Sequence, residues 1–145
     1  MSVDAVANAI CDRIVDRLSQ SPWSFTTANV RIAGPEEEGE NSVTNAVPER
    51  CVFVIPTGGF PSQSMRNGTE SIDRPTFQIL VRAPLNSSNG LLFADAVYQA
   101  LHLDPVAGTF DCVALQPPTA TPRDKQGRQR FAFNVALRVE RKSNV

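Results

Sequence analysis

Apolar residues recur at helical spacing at the start of the chain: Val3, Ala7, Ile10, Ile14 and Leu18 share one face, while Asp12, Arg13, Asp16 and Arg17 fall on the other. Ser2 is placed to cap this helix, Asp4 stands in its first turn, and Ser21-Pro22 is expected to end it. The same spacing returns in GLLFADAVYQALHL, where Phe93, Val97, Ala100 and Leu101 form the apolar face. Asn86-Ser87-Ser88-Asn89 supplies capping residues before this second helix, and Asp104-Pro105 is expected to stop it.

Elsewhere the period shortens to two. RFAFNVALRVE sends Phe131, Phe133, Val135, Leu137 and Val139 one way and Asn134, Arg138 and Glu140 the other. PTFQILVRA puts Phe77, Ile79 and Val81 on one face and Gln78 and Arg82 on the other, with Leu80 as the exception. CVFVI, closed by Pro56, and FDCVALQ are compact strand candidates, and ANVRIAG a short one. Helix, strand, strand, helix, strand, strand does not alternate as parallel βαβ units do. The pattern therefore predicts an α+β fold in one domain over 1–145: an antiparallel or mixed sheet of about four to five strands, with two helices packed on one face.

Between these elements lie three long segments, 33–49, 56–74 and 117–129, rich in Gly, Pro, Ser, Asn and charge. Segments of that length without their own pattern are functional or disordered. They are expected to project from the sheet, the last as a Pro-stiffened hairpin arm turning at Asp124-Lys125-Gln126-Gly127.

With 145 residues the chain is long enough to close one core without staples. Fourteen Lys+Arg against fifteen Asp+Glu give a formal charge of -1, without the basic excess of a nucleic-acid binder. Arg123, Lys125, Arg128 and Arg130 make only a local basic cluster, at what reads as a solvated hairpin tip. Cys11, Cys51 and Cys112 are widely spaced, and His102 is the single histidine, so neither a disulfide frame nor a zinc site is expected. No stretch approaches a membrane span and no signal-like run opens the chain, which reads as soluble and unexported.

Candidate chemistry is sparse. Thr57-Gly58-Gly59 follows a strand as phosphate-binding turns do, but no lysine follows, and Pro61 withholds an amide that a cradle would use. GxSxG is absent, and His102 sits at a helix end, with Asp95 or Asp111 as its conceivable partners. The run Glu36-Glu37-Glu38-Gly39-Glu40 lacks the spacing of a calcium loop and reads as a solvated loop. Catalytic residues, cofactors and metals are accordingly expected to be none. Long arms on a small sheet suit contact with neighbouring chains.

VIPTGGFPSQ after a strand, then RPTFQILVRA, FADAVYQALH and DKQGRQRFAFNVALRVER resemble the tail terminator (tail-completion) and minor capsid proteins of long-tailed bacteriophages. The resemblance implies a non-enzymatic virion subunit that forms a homo-hexameric ring on the end of the tail tube. There it would stop tube growth and offer a surface to the head connector or neck protein. It implies no membrane and no specific nucleic-acid contact, although DNA can pass through the ring, and a place in the virion tail after assembly in the host cytoplasm. The residues it offers for subunit or partner contact are Thr57, Gly58 and Gly59 in the turn, Gln78 and Arg82 on the polar strand face, and Arg128 and Arg130 on the arm. Two alternatives stay open: another neck, adaptor or tail-tube-like subunit, and a small-molecule-binding or enzymatic domain with His102, Asp111 and 56–74 as a lid.

Overall fold

A computed structural model describes residues 3–32, 48–64, 70–85, 88–102 and 112–142. Helix α1 spans Val3–Leu18 and α2 spans Gly90–Leu101. Among the described residues nine strands follow the chain: β1 Val30–Ile32, β2 Cys51–Pro56, β3 Phe60–Ser64, β4 Glu70–Arg74, β5 Thr76–Arg82, β6 Cys112–Ala114, β7 Thr119–Thr121, β8 Arg130–Leu137 and β9 Val139–Lys142. The main sheet runs β1-β2-β5-β8-β6, with β7 on the same side of β8 as β6 but lower in the strand. Among the described residues only β1 and β2 pair in parallel, so the sheet is mixed, one of the two forms the element order predicts. It has six strands, and a second sheet, β3-β4-β9, adds three more.

Both helices lie on one face, α1 over β1 and β2, and α2 over β5, β6 and β8. Val6, Ala7, Ile10, Ile14 and Leu18 turn inward from α1, and Phe93, Ala94, Val97, Ala100 and Leu101 from α2. They meet Val52, Val54, Phe77, Ile79, Val81, Phe131, Phe133, Val135 and Leu137 of the sheet. Full burial of each Phe stabilises by about 1.5–3 kcal/mol. Asp4 in the first turn of α1 and Arg17 in the last both complement its dipole. After α1, Phe25 donates its amide to the Leu18 carbonyl at 2.9 Å and packs edge-on against Phe93.

Two details differ from the sequence pattern. Asn89 is the residue before α2, but its side chain makes no capping bond. The first helical residue is closely packed instead: a Cβ on Gly90 would stand 2.5 Å from Gln129 Oε1 and 3.1 Å from Phe131 Cε2. Leu80 is no exception either. Register sets it between Phe53 and Ala132, and with Cys51 these form a second buried apolar cluster on the face away from the helices. Ser2, Asn86, Ser87, Asp104 and Pro105 lie outside the described residues, as do 33–47 with the acidic run.

Candidate functional site

Sheet order makes the two sheets one ribbon. β2 continues into β3 after Thr57-Gly58-Gly59, β4 into β5 across Pro75, and β8 into β9 across Arg138. On either side of these breaks the strands keep the same order, β2-β5-β8 before and β3-β4-β9 after. The segment 56–74, expected as a structureless loop, is thus mostly strand: its two ends pair with each other and β4 pairs with β9. The period-two signal is hidden in β3 and β4 because FPSQS and ESIDR carry few apolar residues. Residues 65–69, at the turn of this arm, lie outside the described part.

The break is built from close backbone contacts. Thr57 donates its amide to the Thr76 carbonyl at 3.0 Å, and the two threonine hydroxyl oxygens lie 2.7 Å apart. Leu137 donates its amide to the Pro75 carbonyl at 3.1 Å, which binds β8 to the same level. Gly58 has φ +96° and open space around its Cα, so it is required only for backbone conformation. Gly59, at φ +131°, also has Arg74 O and Pro75 Cα at 2.5 and 2.9 Å from where a Cβ would stand. A proline between β4 and β5 needs no amide partner at the point where the ladder is interrupted.

Gln78 stands between Ile55 and Asn134 in the sheet and is half-buried. Arg82 departs from the polar-face expectation: it is wholly buried. Its Nε donates to the Glu49 carbonyl at 3.3 Å, an Nη donates to the Pro48 carbonyl, and the guanidinium lies 6.0 Å from the Phe53 ring centre. The chain entering β2 crosses over the strand here, so a position that alternation assigns to solvent is covered by residues 48 and 49. Arg128 is likewise buried rather than free on an arm. Its Nε lies 3.5 Å from Glu49 Oε2 and 3.6 Å from Asp124 Oδ2. Arg130, half-buried, donates to the carbonyls of Pro122 and Arg123 at 3.0 and 3.4 Å.

The expected arm at 117–129 is also pulled in. Thr119–Thr121 pairs with Arg130–Ala132, and the tip folds around Asp124. Its Oδ1 accepts the amides of Gln126 and Arg128 at 3.0 and 2.8 Å, while Gly127 takes φ +85°. Burial pushes the Asp124 carboxyl up, but those two amides and the charges of Arg128 and Arg82 outweigh it and hold it below the usual value. Asp124 was legible in the sequence as a turn former, not as a buried charge. Arg82, Arg128, Asp124 and Glu49 form a charge-balanced knot at the end of the sheet opposite Thr57-Gly58-Gly59, so the seven candidate residues divide between two ends.

His102 serves the fold. Its Nδ1 accepts the Ala114 amide at 3.1 Å and its ring stacks on Tyr98, which joins the end of α2 to β6. Asp95 is exposed on α2, and Asp111 lies outside the described residues. Among the described residues no cluster of His, Cys, Asp and Glu has the arrangement of a metal site, and no helix is long and apolar enough to cross a membrane.

A solved structure described as the virion of a native gene transfer agent particle shares this fold, with a TM-score of 0.63 at 19% identity over 94% of this chain and 98% of that one. A second solved chain overlays with a TM-score of 0.53 at 14% identity, covering 96% of each. No curated protein sequence matches. The model of a family described as bacteriophage tail terminator protein matches residues 43–141, which takes in β2, the break, the arm, α2 and every strand to β9. The chain belongs to the bacteriophage tail terminator family, structural components of the phage tail.

Proposed function

We propose that this protein caps the growing tail tube as a homo-hexameric ring, ends tube polymerisation there, and offers its opposite surface to the head connector or neck protein. The observation that carries the reading is the family match across the ribbon and its arm. The three-stranded ribbon supports it, because it carries strands past the main sheet at one end, while at the other end Glu49 stays exposed beside the buried Arg82, Arg128 and Asp124. The gene transfer agent particle whose chain shares the fold is itself a virion assembly.

Thr57, Gly58 and Gly59 are exposed and aim the arm, and Gln78 and Arg130 are half-buried; these are the candidates for direct contact with a neighbouring subunit. Arg82 and Arg128 act by holding the chain in shape. The ring makes no sequence-specific nucleic-acid contact and leaves a passage for DNA, and assembly takes place in the host cytoplasm.

Negative-stain electron microscopy with light scattering tests this directly. Closed six-fold rings, or rings formed only on isolated tail tubes, are the expected result. Binding to isolated filled heads but not to tubes would instead place the protein on the head side of the neck.

A further inference from the structure

Asparagine stands at positions 8, 29, 89 and 134 among the described residues, and their surroundings differ. Asn134 is half-buried in β8 and precedes Val135, whose branched side chain crowds the peptide bond between them. Asn29 is held at both side-chain atoms: its Oδ1 accepts the Thr26 amide and its Nδ2 donates to the Arg50 carbonyl, each at 2.9 Å. Asn8 lies inside α1, where the amide of the following residue belongs to the helical ladder.

Asn89 departs from the others. It is exposed, it immediately precedes α2, and its side chain makes no capping bond. It is also followed by glycine. Gly90 brings no Cβ to shield the bond, and as the first residue of α2 its amide is among those that a helix leaves without an intrahelical acceptor. Ser88 Oγ lies 3.5 Å from Asn89 Oδ1, the oxygen that takes up charge when a nucleophile reaches Cγ.

We infer that Asn89-Gly90 is a site of spontaneous modification, at which the amide side chain becomes a carboxylate. The Gly90 nitrogen attacks Asn89 Cγ and forms a new C–N bond. Nδ2 leaves as ammonia, carrying the Gly90 amide proton with it. Water then opens the cyclic imide: addition at Cγ gives an aspartyl residue, and addition at the Asn89 main-chain carbonyl carbon gives an isoaspartyl one, whose main chain runs through Cβ and Cγ. Water is consumed and ammonia released in equal amounts, and no oxidant or reductant takes part.

The fold sets both the access and the consequence. Ring closure requires Asn89 to rotate away from ψ +18°, which gives up the 3.0 Å bond from the Phe93 amide to the Asn89 carbonyl. Helix ends open at small cost, so this is a modest barrier. Packing works against a protective replacement of the glycine, because a Cβ there would displace Gln129 and crowd Phe131 and Ala83. An aspartate before α2 caps it as well as asparagine does and places negative charge at the positive end of the helix dipole. An isoaspartate instead lengthens the main chain directly before the tightly packed Gly90 and so strains the start of α2. Either product sets a carboxylate beside Leu91 and Leu92, which are 61% and 65% exposed, and turns an apolar stretch of surface into a charged one as the protein ages.

The test is peptide mass mapping of the full chain over time at mildly alkaline pH, folded and urea-unfolded side by side, with fragmentation to assign each change to a residue. Position 89 should gain the mass of an amide-to-acid conversion in the folded protein, no more than about tenfold more slowly than in the unfolded chain. The peptides carrying Asn8, Asn29 and Asn134 should stay unchanged in the folded protein over the same period. Asn89→Gln should remove the gain at 89, because the longer side chain closes its ring far more slowly. No conversion at 89, greater protection by the fold than about tenfold, or conversion at Asn86 in its place overturns the inference.

Discussion

Gly59→Ala against Gly58→Ala separates two physical effects at the break between the sheets. Both glycines have positive φ, +96° at Gly58 and +131° at Gly59, so alanine at either imposes backbone strain of about 1–3 kcal/mol. Both replacements also lower the entropy of the unfolded chain by a similar amount, which cancels in the comparison. What differs is space. Nothing lies within 4 Å of a Cβ on Gly58, whereas one on Gly59 would meet Arg74 O at 2.5 Å and Pro75 Cα at 2.9 Å. Those atoms are backbone held by the β4 and β5 ladders, so they yield only by moving the strands. Overpacking of that kind costs about 1–3 kcal/mol, the expected excess of Gly59→Ala over Gly58→Ala. For a chain of this length the excess corresponds to about 4–10 °C in Tm. Thermal unfolding followed by circular dichroism reads it, with amide exchange on β3 and β4 showing whether the arm loosens first. Equal melting temperatures for the two variants would refute the close approach of Gly59 to Pro75 as the constraint at the break.

Asp124→Asn keeps the acceptor for the Gln126 and Arg128 amides but removes the charge facing Arg128, and is expected to destabilise by about 2–4 kcal/mol near neutral pH, read by urea unfolding. Because the folded-state value of Asp124 lies below its unfolded one, its contribution is complete above about pH 4 and lost as pH falls further, so the gap between wild type and variant should close in acid. Arg82→Ala leaves the Pro48 and Glu49 carbonyls without that donor and opens a void beside Phe53, with an expected loss of about 2–4 kcal/mol; a melting temperature within a degree of wild type would show that residues 48 and 49 are held by something else. Burial, with the charge of Asp12, pushes the Cys11 thiol up to about 12 from 9.0, so at pH 8 its labelling by a maleimide should be about 1000-fold slower in the folded than in the unfolded protein.

Much of the scaffold was readable because it is local. The apolar stripes of α1 and α2 and the alternation of β5 and β8 report a backbone period, and burying those faces requires no knowledge of the partner. The candidate site was read less completely. Its turn was identified at Thr57-Gly58-Gly59, but β3 and β4 escaped because polar arm strands carry no period-two signal. Arg82 was placed on a polar face by the same alternation that placed Phe77 in the core, and Arg128 in solvent by its place in a charged hairpin tip; both are buried.

By itself the sequence determined the class: two amphipathic helices, alternating strands with a buried face, and a glycine turn after the first core strand. Tertiary structure alone decided that Gly59, Pro75 and Arg138 fall at one level and break three strands together, and that the second face of the sheet is covered at Arg82. It also decided that Glu49 meets the Asp124–Arg128 turn. Each of these depends on cross-strand register and on which segment passes over a strand. Those are non-local properties, set by the whole chain finding one consistent packing, and no window along the sequence contains both partners.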